Sequence, residues 1–218
     1  MDLEELSTFK APYYTNNQIY EKADSFRAKY WRDKGLPVDI EKIIEFELGI
    51  TIIPRENLCH IYEGMETSIS KDMTEITIDK AISENPASEK RLRFSLAHEV
   101  GHFVLHKDIY SKFSFNSIEE WIMLINNIPE FQYGMIEKHA YEFAGRLLVP
   151  RDELIKEIQV KKDKIKMYLS IIPQFNSEEK TDYLKNYLSG TINDVFGVSA
   201  SVIERRIDRE KIDLYNIK

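Results

Sequence analysis

His98-Glu99-Val100-Gly101-His102 combines residue types and spacing that can do chemistry. On an α-helix each residue advances about 100° and about 1.5 Å, so His98 and His102 stand one turn apart on one face. Two imidazoles so placed can share one Zn²⁺ at about 2.0–2.1 Å each. Glu99 is turned off that seam, where its carboxylate can hold a water beside the metal and serve as a general base. Two ligands and a base within one helical turn is what a zinc peptidase needs.

The pattern is short, so its surroundings must support it. Leu92, Leu96, Val100, Phe103 and Val104 are apolar at helical spacing, and Phe94 and Leu105 add bulk on another side. That places the helix in a core. Two imidazoles and a carboxylate are costly there unless paired or metal-bound. A catalytic site keeps three protein ligands and one open position, so a third ligand must come from elsewhere in the chain. His106 lies eight residues past His98, about 12 Å along the axis, which is too far to join both histidines on one metal. It reads instead as a partly buried or supporting residue. An extended metzincin pattern would need Gly at 105 and His at 108, and the chain has Leu105 and Asp108. A glutamate on a following helix fits better. Glu137 leads, with His139 and Glu142 as alternatives on other faces. Tyr141, one turn from Glu137, could orient His98 or His102. Tyr133, His139 and Tyr141 are unranked candidates to steady an oxyanion.

Several elements must position these groups. Residues 16–33 read as a helix with Ile19, Ala23, Phe26 and Tyr30 as its apolar stripe, ended by Gly35 and Pro37. Asp39 is an N-cap for a short helix carrying Ile40, Ile43, Ile44 and Leu48. The β-branched run 50–54 predicts a strand. Residues 67–71 and 75–79 predict a hairpin turning at Asp72-Met73-Thr74, so a small antiparallel sheet precedes the metal-binding helix. Asn85-Pro86 starts that helix. The aromatic-rich stretch 108–130 holds a short helix at 118–126 and is either a covered loop or a cleft wall. A second amphipathic helix runs from Met135 to Pro150, with Ile136, Ala140, Phe143, Ala144, Leu147 and Leu148 facing the core, and a further helix begins at Arg151.

The whole reads as an α+β protein, mostly helical, with residues 1–160 as the catalytic domain and 161–218 as a helical extension. The chain has 218 residues and a formal net charge of −7, which disfavours a general nucleic-acid binder. A single cysteine, Cys59, rules out an internal disulfide and fits a reducing compartment. No signal peptide and no membrane-length apolar run is evident, so a soluble, cytoplasmic protein is expected. The segment from Leu188 reads as two helices joined at Gly197-Val198-Ser199, with Ser199 as N-cap and Arg205, Arg206 and Arg209 on the second. Glu204, Asp208 and Glu210 are interspersed, so packing or partner contact is expected there rather than direct DNA binding.

Residues 39–54, the hairpin, the block Phe94-Ser-Leu-Ala-His-Glu-Val-Gly-His-Phe-Val-Leu-His106 and the block Glu137…Phe143-Ala-Gly-Arg-Leu-Leu-Val-Pro150 together resemble the ImmA/IrrE family of metallopeptidases over roughly residues 17–155. One departure is Tyr141, where the family usually has Asn. The resemblance implies a thermolysin-like zincin core, with His98, His102 and Glu137 as Zn²⁺ ligands and Glu99 as the base. It implies a C-terminal fold extension rather than a DNA reader. It also implies a site-specific metalloprotease that cleaves a helix-turn-helix transcriptional repressor and so induces mobile-element or stress-response genes. The competing reading is a zinc-bound interaction module, an antitoxin or anti-repressor, that sequesters a regulator without cutting it. Intact Glu99 favours the enzyme, since a binding module has no need of it.

Overall fold

The computed structural model describes residues 3–32, 34–62, 64–171 and 177–214. The chain forms two compact units, one of residues 1–33 and 39–147, the other of residues 34–38 and 148–218.

The first unit opens with α1 (Leu3–Ser7) and α2 (Asn16–Tyr30). Thr15 caps α2 in a reciprocal pairing with Gln18, which satisfies orphan donors at the helix start. Ile19, Ala23 and Phe26 of the expected stripe are buried, whereas Tyr30 is half-buried. The helix ends at Tyr30 rather than residue 33, and Asp33 lies outside the described residues. Asp39 caps α3 (Ile40–Lys42) by accepting from the Lys42 N–H at 3.1 Å. A π-helical turn, Ile43–Glu47, follows and buries Ile43 and Ile44. Strand β1 (Thr51–Arg55) leads through α4 (Leu58–Ile61) to β2 (Thr67–Ile69) and β3 (Glu75–Asp79).

The sheet corrects the antiparallel expectation. β2 and β3 pair antiparallel as predicted, but β1 lies parallel to β3, from Thr51↔Glu75 to Arg55↔Asp79, in the order β1-β3-β2. The reason is topological. The hairpin reverses direction on the far side of β3, which leaves β3's near edge open to a strand running the same way. The hairpin turn forms at Ser70–Thr74. Met73 takes a left-handed φ of 58°, and Asp72 accepts from the Ser70 hydroxyl and the Thr74 N–H. At the far end of β3, Asp79 caps α5 (Lys80–Ser83) with one oxygen and takes the Cys59 N–H with the other at 2.9 Å. Cys59 itself is half-buried.

Asn85 accepts from the Ala87 N–H to start a 3₁₀ turn, Pro86–Ser88, which runs into α6 (Glu89–Leu105). Leu92, Leu96, Val100 and Leu105 are buried, while Phe103 and Val104 are half-buried. Helices α7 (Lys107–Tyr110) and α8 (Ile118–Ile125) follow, then α9 (Glu130–Leu148). All six expected core positions of α9 are buried. Gly101 lets α6 and α9 meet, because a Cβ there would stand 2.8 Å from the Ala140 Cα. Along the other side of α9, Arg146 pairs with both Asp24 oxygens at 2.8 and 2.6 Å, and Phe143 meets Phe26 edge-on.

The stretch 108–130 is a covered wall. Tyr110, Phe113 and Phe115 gather on Trp121 with ring centroids 4.9–5.9 Å apart, and Tyr133 touches Trp121 at 6.4 Å. Such aromatic clusters bury large area with specific edge and tilt geometry.

The second unit holds α10 (Arg151–Val160), α11 (Lys162–Ile171), α12 (Ser177–Phe196) and α13 (Ala200–Arg209). Gly197, at φ 61°, ends α12, with its N–H to Asp194 and the Val198 N–H to the Asn193 carbonyl. Ser199 is extended, as an N-cap should be, but its hydroxyl bonds Ser201 rather than a backbone N–H. Arg206 is buried and paired with Glu210, which also takes Arg151 at 3.2 Å. Residues 172–176 and 215–218 lie outside the described residues.

Candidate metal centre

α6 presents His98 and His102, and α9 brings Glu137 against them. The two Nε2 atoms are 3.0 Å apart. The His98 Nε2 lies 3.1 Å from one Glu137 oxygen, and the His102 Nε2 lies 3.5 Å from the other. Ligands at about 2.0–2.1 Å from a tetrahedral centre stand about 3.3 Å from one another, so the three separations bracket what one ion requires. Two imidazole nitrogens and a carboxylate form a hard-to-borderline donor set suited to Zn²⁺. Among the described residues these three can hold a metal ion.

Their electrostatics are those of a coupled, buried group. Burial alone would raise the Glu137 carboxyl, but the His102 and His98 imidazoles and a hydrogen bond from Tyr133 outweigh it and hold it at about 2. Burial lowers His102 to about 3 despite the Glu137 charge. For His98 burial is overcome by the Glu137 hydrogen bond and by the charges of Glu137 and Glu99, so its pKa rises. The carboxylate is thus shared unequally, with His98 the easier to protonate and His102 held neutral.

Glu99 is buried, and both of its oxygens are taken by strand β2. The Thr67 hydroxyl donates to one at 2.7 Å and the Ile69 N–H to the other at 3.0 Å. Burial raises the carboxyl more than its neighbours lower it. The strand order makes β2 an edge. Glu66 and Ser70 bond across to Asp79 and Glu75, so the backbone of Thr67 and Ile69 faces away from β3. Beside this strand lies a groove of about 760 Å³ lined by Ser68, Ile69, Ser70, Lys107, Phe115 and Ser117.

The other sequence candidates are distributed around the cluster. Tyr133, one turn before Glu137, bonds to it, and burial pushes its hydroxyl well up. Tyr141 packs its ring on Phe94 at 4.8 Å. His139 is buried and stacks on His106 with centroids 5.7 Å apart. Glu142 points elsewhere and accepts the Tyr20 hydroxyl at 2.8 Å. His106 is outside the metal-facing group, with its Nδ1 3.1 Å from the Nδ1 of His102. Thr67 and Tyr110, whose ring lies 5.7 Å from that of His102, are neighbours the sequence reading did not single out. A strand of period 2 that buries Ile69 hints at Thr67. Nothing local marks Tyr110.

Residues 81–208, more than half of the chain, match the family model Peptidase_M78, described as the IrrE N-terminal-like domain. The match contains α6 and α9. No curated protein matches the chain.

Proposed function

The chain belongs to the IrrE N-terminal-like family of M78 metallopeptidases, and from that premise we propose that it is a zinc-dependent, site-specific metalloprotease. The observation that supports this most directly is the His98–His102–Glu137 cluster, whose ligand atoms lie 3.0–3.5 Å apart with Glu99 beside them. Zinc held there would supply Lewis acidity, polarising a peptide carbonyl and bringing the pKa of a water toward neutrality.

Glu99 takes a proton from that water and passes it to the leaving amine. Its carboxyl, raised by burial, suits a group that must both accept and release a proton. Thr67 and Ile69 fix the direction in which it does so. Tyr133 is favoured as the donor to a developing oxyanion, because burial keeps its hydroxyl protonated beside the cluster, where its single proton would turn from Glu137 to the oxyanion. His139, stacked behind His106, and Tyr141, on Phe94, are less well disposed.

The substrate is a protein segment in extended form. The groove beside β2 is placed to take its side chains. We take the partner to be a helix-turn-helix repressor whose cleavage induces mobile-element or stress-response genes. This rests on the family resemblance and on the acidity of residues 1–160, which suits a basic DNA-binding partner. Residues 1–160 carry the peptidase and 161–218 extend it. The buried pairing of Arg206 with Glu210 favours packing over DNA contact in that extension. No helix among the described residues is long and apolar enough to cross a membrane, and one cysteine suits a cytoplasmic setting.

The test is to incubate the zinc-loaded protein, beside its Glu99→Gln variant, with the helix-turn-helix repressors encoded next to it and to size the products by mass spectrometry. A single cut by the parent, and none by a variant that keeps its zinc, is expected. A repressor bound tightly but left whole by the parent would instead favour the sequestering module.

A further inference from the structure

We propose that His106 is a positioning residue that sets the tautomer of His102 and thereby its ability to ligate metal. The inference rests on the metal centre proposed above and deepens it. His102 is almost fully buried, and its Nε2 faces His98 and Glu137. Its other nitrogen, Nδ1, lies 3.1 Å from the His106 Nδ1. A contact between two ring nitrogens at that distance needs one proton between them, so one ring donates and the other accepts. If the His106 Nδ1 carried that proton, His102 would hold its own on Nε2, and the nitrogen facing Glu137 would have no lone pair to offer. If His106 accepts, His102 is protonated at Nδ1 and presents the Nε2 lone pair to a cation. The tautomer of one ring therefore decides the coordinating power of the other.

The fold keeps His106 in place for this task. Its backbone N–H closes the last turn of α6 on the His102 carbonyl at 2.9 Å. Its own carbonyl accepts the N–H groups of Ile109 and Tyr110 at 2.9 and 3.0 Å, which begin α7. The residue is completely buried, and the His139 ring stacks on it at 26°. Metal-bound histidines usually give their second N–H to a carboxylate, a carbonyl or water. An imidazole in that role accepts the bond without adding negative charge to a buried site. The acceptor role leaves the His106 proton on Nε2, an atom with no hydrogen-bond partner among the described residues.

Long-range ¹H–¹⁵N correlation spectra of the histidine-labelled, zinc-loaded protein read this directly. The expected spectrum shows His106 unprotonated at Nδ1 and protonated at Nε2, and His102 protonated at Nδ1. Zinc affinity by chelator competition gives a second readout. His106→Leu, which removes the acceptor, should weaken zinc by about 10–100-fold, and His106→Gln, whose side-chain oxygen can accept, should recover most of it. A zinc-loaded parent with His106 protonated at Nδ1, or equal losses in the two variants, overturns the inference while leaving the metal centre standing. A parent that takes up no zinc overturns both.

Discussion

Gly101→Ala probes whether the approach of α6 to α9 is what assembles the ligands. The added Cβ would stand 2.8 Å from the Ala140 Cα, 2.9 Å from its carbonyl oxygen and 3.2 Å from its Cβ. Ordinary contact begins near 3.4 Å, so the helices must part by about 0.6 Å. Metal sites tolerate about ±0.2 Å in ligand distance, and overpacking of this kind costs about 1–3 kcal/mol. That cost must surface in one of two places. If the helices stay together, it is lost from stability, and a domain of this size melts lower by about 2–4 °C per kcal/mol. If they splay, Glu137 withdraws from His98 and His102, and zinc must close them again, which weakens affinity by about 5–150-fold for 1–3 kcal/mol. The assay is a thermal melt of the metal-free protein together with chelator competition for zinc. Ala140→Gly in the same chain should not rescue it, because the two nearest atoms belong to the backbone. A Gly101→Ala protein with parental melting and parental zinc affinity would refute the reasoning.

Glu137→Gln removes the charge but keeps the shape, and zinc content measured after dialysis against a weak chelator should fall from about one per chain toward none. Thr67→Val deletes a donor to the buried Glu99 carboxylate, a bond of the charged kind worth about 1.5–3 kcal/mol. Cleavage of a repressor found as a substrate should slow by about 10–150-fold with zinc retained, and Thr67→Ser should restore it; equal rates in all three would remove Thr67 from the site. In the metal-free protein, burial keeps His102 neutral to about 3 and His106 to about 2. Below the ordinary histidine value of about 6.5 the unfolded chain therefore binds protons that the native protein does not, and stability falls as pH drops from about 6.5 toward 3. His98 and Glu99, whose pKa values are raised, work the other way, adding stability at low pH that is lost as pH rises through their native values, but they stand against the three lowered imidazoles of His102, His106 and His139. Urea midpoints should be lower at pH 5 than at pH 7, and a flat profile would contradict the burial of these rings.

What the sequence made legible was what short-range geometry dictates. Helical period fixed the faces of α6 and α9. Asp39 and Asn85 announced helix starts through side-chain caps that the structure contains, and Asp72-Met73-Thr74 announced the hairpin turn. The parallel partner of β3 was not legible, because β1 reaches it across residues 56–74 and nothing in residues 50–54 states which edge it will meet. The stretch 108–130 was opaque for a related reason. Its aromatic residues follow no single period, since they converge on Trp121 of α8 from α7 and the loop between the two helices. The burial of Phe103 and Val104 was overestimated, because both are half-buried at the edge of the buried arc of α6.

The same distinction explains why Glu99 needs the hairpin as well as its own helix. Spacing on α6 places Glu99 beside the His98–His102 pair, but a glutamate has three side-chain torsions and spacing does not set them. Strand β2 does, through one side-chain donor and one backbone donor two residues apart. Both depend on register. Side chains alternate in a strand, so a one-residue slip against β3 would turn Thr67 away and replace the outward Ile69 N–H with one committed to the ladder. Burial of Ile69 opposes that slip, because the shifted strand would expose it. An apolar side chain with no chemistry of its own thus holds the register on which the direction of the carboxylate depends, and a polar substitution at Ile69 would disturb Glu99 through the backbone N–H it positions rather than through the side chain.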